Sequence, residues 1–123
     1  MFNRFARILA GLVLATTLAG QVHAAPPQTV DGVTRIHLEQ HNGYFAARET
    51  LAGLKPGTYE FVVRNEAGKV AGFQLTDGGG NALDMFPLEP GETRTVRVEI
   101  NDSGFRYRCP INPTPWYEVG VSR

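Results

Sequence analysis

The sequence predicts an all-β protein, a Greek-key antiparallel β-sandwich. Three observations favour this fold class. Apolar and polar residues alternate with a period of two in several short segments, which is typical of half-buried strands. Turn signals such as Pro56-Gly57 and Pro90-Gly91 separate these segments along the chain. No stretch is long enough for a crossover helix, so short strands joined by turns are the expected arrangement.

Each predicted strand has one set of residues that we expect to face the core. The first predicted strand is Val33 to Gln40, with Ile36 and Leu38 inward, and the second is Thr58 to Asn65, with Tyr59, Phe61 and Val63 inward. A short strand follows at Phe73 and Leu75, and residues 95–100 form another with Val96, Val98 and Ile100 inward. The last two strands have Phe105, Tyr107 and Cys109 inward and Tyr117, Val119 and Val121 inward, respectively. Asp77 to Gly80 reads as a turn. Ala46 to Ala52 is compatible with a helix, but a short strand or a single turn fits equally well.

The N-terminus has the layout of a cleaved secretory signal peptide. Arg4 and Arg7 precede an uncharged apolar run, Ile8 to Ala19, and the small residues Val22 and Ala24 follow it. The run is short for a membrane span, since the hydrocarbon core is about 30 Å thick. We therefore expect cleavage after residue 24 and a periplasmic or secreted protein.

The remaining chain divides into an extended leader, residues 25–28, and a single domain, residues 29–123. Without Arg4 and Arg7, ten basic residues stand against twelve acidic ones, a net charge of −2. The basic residues are scattered, which argues against a nucleic-acid partner. Gly78 to Gly80 precedes no helix with a lysine, which argues against a nucleotide. No catalytic constellation is recognisable, so we do not expect an enzyme.

Four segments between Gly57 and Pro110 resemble those of the cupredoxin family. They are Gly57-Thr58-Tyr59-Glu60-Phe61-Val62-Val63-Arg64-Asn65, then Phe73-Gln74-Leu75, then Leu88-Glu89-Pro90-Gly91-Glu92-Thr93, and finally Phe105-Arg106-Tyr107-Arg108-Cys109-Pro110. The resemblance implies a cupredoxin-like sandwich in which the loop after Asn65 and the loop after Cys109 lie at the same end.

The resemblance also implies where a blue-copper site would have its ligands. Such a site has two imidazoles, a thiolate and a weak axial thioether. This chain has Ala71 and Asn112 at the two imidazole positions and no methionine after Cys109. The thiolate alone remains, so an ordinary blue-copper electron carrier is not expected.

The segment from Cys109 to Pro113, Cys-Pro-Ile-Asn-Pro, is similar to a loop in the cupredoxin-like domains of EfeO-type periplasmic iron-uptake proteins. Those domains also lack the full set of copper ligands. This second, shorter resemblance implies a periplasmic role in handling copper or iron through altered ligands. The cofactor that this resemblance implies is a copper ion, and no other cofactor is expected.

Two residues are the candidate metal ligands, Cys109 and His41. The resemblance to cupredoxins implies that the loop beginning at His41 lies at the same end of the sandwich as Cys109. His37 lies four residues back along an extended strand, about 13 Å away, and cannot share the ion unless the strand bends. Asp84 and Met85 are possible additional donors if a loop before Pro87 folds over this end. As the alternative, Cys109 is a buried structural thiol that behaves as a small hydrophobe.

A metal-free interaction module is the second hypothesis for the function. Trp116, Tyr117 and Tyr44 can present an aromatic patch beside a proline-rich loop, a composition that is common where proteins dock. The partner would be a periplasmic or membrane protein. The alternative for Trp116 is that its ring caps the core where a metal site once stood.

Overall fold

The computed structural model describes residues 24–122, and nine strands make up its regular structure. They are β1 (Thr29–Val30), β2 (Val33–His41), β3 (Tyr44–Ala47), β4 (Gly57–Asn65), β5 (Ala71–Asp77), β6 (Ala82–Leu88), β7 (Thr93–Ile100), β8 (Phe105–Arg108) and β9 (Tyr117–Val119). No helix occurs between residues 24 and 122, which confirms the predicted all-β class. Accordingly, no helix in this range has the length and apolar character to cross a membrane. The predicted signal peptide lies outside the described residues.

The strands form two sheets that pack face to face as a β-sandwich. The first sheet has the order β1-β2-β4-β7, and β3 pairs with β2. The second sheet has the order β6-β5-β8-β9, and all its pairs are antiparallel.

The prediction of a purely antiparallel sandwich is wrong for one strand pair. β2 and β4 are parallel over their whole length, from Val33↔Thr58 to Gln40↔Asn65. Parallel neighbours need a long crossover connection, which is usually helical. Here β3 and the irregular residues 48–56 make the crossover. Residue alternation specifies which face of a strand is buried but not its direction, so the sequence pattern did not reveal this pairing.

The predicted strands all occur, and the structure adds three that the sequence did not indicate. For Ala46 to Ala52 the helix alternative is wrong, and the short-strand alternative holds only for the first two residues, because β3 ends at Ala47 and irregular chain follows. Asp84 and Met85 lie inside β6 rather than in a loop, which corrects the prediction for both residues. Pro87 is compatible with this strand because β6 lies at the edge of its sheet, where the N–H that proline lacks is not needed for hydrogen bonds to a neighbouring strand.

The core forms where the inner faces of the two sheets meet, and aromatic rings dominate it. Phe61 of the first sheet contacts two rings of the second, Phe105 with ring centroids 5.1 Å apart and Phe73 with centroids 6.2 Å apart. All three rings are essentially inaccessible to solvent. Burial of a large apolar side chain stabilises the fold by about 1.5–3 kcal/mol, so these rings are the main attachment between the sheets.

Asn65 fastens one end of the sandwich. Its buried side-chain amide donates hydrogen bonds to the carbonyl oxygens of Lys69, at 2.7 Å, and Leu88, at 2.9 Å. Its Oδ1 accepts the backbone N–H of Ala67 at 2.8 Å. One side chain thus ties the end of β4 to the following loop and to β6 in the opposite sheet.

We expect Asn65→Ala to lower the free energy of unfolding by about 2–4 kcal/mol, because it leaves buried backbone groups without partners. Chemical denaturation monitored by circular dichroism measures this loss. Asn101→Ala is the matched control, since Asn101 is exposed and its side chain bonds to Ser103 and to Asp77 at the surface rather than to buried backbone groups. Equal losses for the two variants would show that Asn65 does not have the role assigned to it.

Candidate functional site

The Cys109 side chain is completely buried at the point where β8 ends. Its Sγ accepts two backbone hydrogen bonds, from Gly72 at 3.4 Å and from Asn112 at 3.3 Å. Its own N–H donates to Thr114 Oγ1 at 3.1 Å. Two N–H groups directed at one sulfur fix its position and complement negative charge on it. The geometry is compatible with a thiolate ligand as well as with a structural thiol.

The loop that follows Cys109 covers the sulfur. Pro110 and Ile111 pack so closely over Gly72 that a Cβ added there would lie 3.2 Å from Pro110 Cδ and 3.3 Å from Ile111 Cδ1. Asn112 Nδ2 donates to Asn42 Oδ1 in the turn between β2 and β3. This bond brings the two loops together at one end of the sandwich, where the resemblance implied that they would lie.

The two positions at which the resemblance implies imidazoles are occupied by Ala71 and Asn112. Ala71 is buried and its methyl group offers no donor atom. The Asn112 side chain is engaged with Asn42 rather than directed freely at the sulfur. Neither residue therefore supplies a nitrogen ligand comparable to an imidazole in this arrangement.

His41 lies on the outer face of the first sheet, whereas Cys109 lies inside the sandwich. The side chains of neighbouring strand residues point to opposite faces, and Gln40 is the inward one. The His41 ring stacks on Tyr44 with centroids 4.7 Å apart, and its Nε2 is 3.7 Å from Glu39 Oε1. The structure does not bring the two predicted ligands together.

His37 is also engaged away from the thiol. Its Nδ1 lies 2.6 Å from one carboxylate oxygen of Glu49, and its backbone N–H donates to the other oxygen at 2.7 Å. This pair fastens the chain after β3 to β2, in keeping with the exclusion of His37 from a shared site.

Asp84 and Met85 do not reach the core end either. Asp84 is exposed and its Oδ1 accepts the N–H of Met85 at 2.7 Å, while Met85 is 62% exposed. Between residues 24 and 122, no three His, Cys, Asp or Glu side chains are grouped so that they could hold a metal ion.

Gln40 is a buried polar residue near the Cys109 end of the core that was not predicted as a site residue. Its side chain is fully buried, and neither Oε1 nor Nε2 has a hydrogen-bond partner in the structure. It pairs across strands with Phe45, whose ring is 5.2 Å from that of Tyr107, two residues before Cys109. Asn42, two residues beyond Gln40, bonds to the Cys109 loop. Gln40 and Cys109 thus face the same end of the core from opposite sheets.

A signal for Gln40 was present in the sequence. Ile36 and Leu38 occupy the inward positions of their strand, and the next inward position is Gln40. A polar residue at a core position is costly unless it is hydrogen-bonded, so it indicates either a bond or a bound species.

Tyr117 has an internal role that binds the sheets together. Its hydroxyl accepts the N–H of Phe45 at 3.0 Å, and its ring stacks on Tyr107 with centroids 5.1 Å apart. Burial, reinforced by Tyr117, raises the pKa of Tyr107 to about 12. Tyr44 is 52% exposed but belongs to the outer face of the first sheet.

Trp116 lies on the outer face of the second sheet, between two arginines. The Arg106 and Arg108 guanidinium carbons are 4.2 Å and 4.3 Å from the centroid of its ring. Because Trp116 precedes the inward Tyr117, its ring lies on the outer side and does not cap the core. Trp116, Tyr117 and Tyr44 therefore do not form one continuous patch.

No protein-family model matches this chain, and no curated protein matches it.

We expect Gln40→Leu to raise the free energy of unfolding of the metal-free protein by about 1–3 kcal/mol, because it removes a buried amide without partners at similar volume. Denaturant unfolding checks this. Gln74→Leu is the control, since Gln74 Oε1 accepts a bond from Arg108 at 2.8 Å. A loss of stability in Gln40→Leu as large as that in Gln74→Leu would mean that the Gln40 amide is already satisfied.

Proposed function

We propose that this chain is a periplasmic, cupredoxin-like protein that handles copper, or iron, through a non-classical site centred on Cys109. Its role would be storage, delivery or resistance rather than electron transfer. The observation that carries the proposal is a buried thiol that receives two N–H bonds while the unpartnered amide of Gln40 faces the same end of the core.

The donor types limit which ions fit. A thiolate is a soft ligand that suits Cu(I), whereas the amide oxygen of Gln40 is harder and suits iron or Cu(II) better. Cys109 would be the anchoring ligand and Gln40 the secondary one. With His41 outside and Ala71 inert, an ordinary blue-copper set is absent from these positions.

The burial of Cys109 favours storage over rapid exchange. The sulfur is completely inaccessible, and the loop from Pro110 to Pro115 lies over it. An ion would reach the sulfur only when this loop moves, so loading and release would be slow. Slow exchange suits a protein that holds or delivers an ion.

The architecture adds support for the cupredoxin-like part of the proposal. The segments that carry the resemblance lie in β4, in β5, from the end of β6 to the start of β7, and in β8 with the two residues after it. The Cys109 loop meets both the start of β5 and the turn after β2. Their convergence at one end is what the resemblance requires.

Titration of the purified, reduced protein with Cu(I), Cu(II) and Fe(II) against competing chelators tests the proposal. We expect submicromolar binding of at least one ion at one equivalent. Cys109→Ser should abolish it, and Gln40→Leu should weaken it by about tenfold or more, the usual effect of losing a supporting donor.

His41→Ala is the matched control, because the His41 ring lies on the outer face and should not affect binding. Loss of binding in this variant would contradict the Cys109–Gln40 ligand set. An intense visible thiolate-to-copper band would contradict the non-classical site. No stoichiometric binding of any ion would leave the metal-free interaction module as the remaining hypothesis.

A further inference from the structure

The outer face of the second sheet carries two arginines without acidic partners. Arg106 and Arg108 make no ion pair with a carboxylate within residues 24–122, whereas on the first sheet Arg35 and Arg97 both bind Glu60, at 2.7 Å and 3.2 Å. Glu118 is the nearest cross-strand neighbour of Arg106, and these two residues do not form an ion pair either. Arg35 and Arg97 thus share a carboxylate on the first sheet, whereas Arg106 and Arg108 form no ion pair among the described residues.

Other contacts hold the two guanidinium groups in fixed positions. Arg108 Nε donates to Gln74 Oε1 at 2.8 Å, and Arg106 Nε donates to Thr76 Oγ1 at 3.4 Å. The Trp116 ring lies between the two groups, at 4.2 Å and 4.3 Å from them. Only the Nε atoms are used by these bonds, so the terminal nitrogens of both groups remain as donors. Guanidinium groups fixed in this way are suited to bidentate bonds with carboxylates.

An apolar groove lies on the same face, beside the arginines. Met85, Phe86, Pro87, Pro110 and Ile111 line it, and Met85 and Ile111 are 62% and 54% exposed. Gln74 pairs with both Met85 and Arg108, so the groove and the arginines are in one row across the strands. Two strand spacings separate Met85 from Arg108, roughly 10 Å, which is about the span of three residues in an extended chain.

We propose that this face docks an acidic, extended segment of another protein. Two carboxylates two residues apart in the segment would bind Arg106 and Arg108, which are themselves two residues apart in β8. An apolar side chain about three residues further on would occupy the groove at Met85 and Ile111. The charge complementarity and the spacing carry the assignment. The proposal does not require a bound metal, because the contacts with the segment are made by the arginines and the apolar groove.

The test uses the blocked peptide acetyl-Glu-Ala-Glu-Ala-Leu-Leu-amide as the probe, in which the two glutamates are two residues apart. Trp116 is the single tryptophan of the chain, so its fluorescence reports binding directly. We expect a saturable change with half-saturation below about 1 mM at low ionic strength, weakening as salt screens the charges. The double variant Arg106→Gln/Arg108→Gln should weaken binding at least tenfold, and Met85→Ser/Ile111→Ser should weaken it several-fold, both measured by calorimetry.

Arg97→Gln is the control on the opposite face and should bind as the unaltered protein does, with circular dichroism confirming that all variants fold. Four outcomes would overturn the proposal. The first two are no saturable change in Trp116 fluorescence up to millimolar peptide, and equally tight binding of a peptide with Gln in place of Glu. The third is unaltered peptide binding by the double arginine variant. The fourth is binding of inorganic phosphate as tight as that of the peptide, which would indicate a simple anion site.

Discussion

The register of β8 between β5 and β9 is the constraint on which both functional surfaces depend. Leu75 pairs with Tyr107, and Tyr107 pairs with Tyr117. This register points Tyr107 and Cys109 into the core and leaves Arg106 and Arg108 outside. A shift by one residue would exchange the two sets and bury two guanidinium groups, which is prohibitively costly without paired charges. One short strand therefore supplies both the buried thiol and the cationic face.

The turn before β8 helps to hold this register. Gly104 has a φ of +80°, and a Cβ at this position would lie 2.3 Å from the carbonyl oxygen of Val119. Its own carbonyl accepts the N–H of Gly78 at 3.0 Å. Only glycine fits this close approach between the start of β8 and the end of β9. The aromatic contacts of Tyr107 with Phe45 and Tyr117 then fasten the same strand to the first sheet and to its neighbour.

Much of the fold could be predicted from residue alternation, because each inward set, such as Phe105, Tyr107 and Cys109, recurs every second residue. The parallel pairing of β2 with β4 could not, since alternation carries no information on strand direction. β6 was missed because Pro87 argues against a strand unless it is known to lie at a sheet edge.

The candidate site was less predictable than the fold. The inward direction of Cys109 follows from residue alternation, and the family resemblance implies that its loop lies at the same end as the loop that begins at His41. The outward direction of the His41 side chain follows from the alternation of side chains along a strand, but only once β2 is known to extend to that residue. Gln40 and the position of Trp116 between two arginines depend on how the sheets and strands pack, which no local pattern specifies.

Cys109 is sealed within the core by this register and by the loop over it. Reaction of the reduced protein with the thiol reagent DTNB tests the claim most directly, because the chain has a single cysteine. We expect almost no reaction in native buffer and release of one equivalent of product in denaturant. Rapid, stoichiometric reaction of the native protein would contradict it.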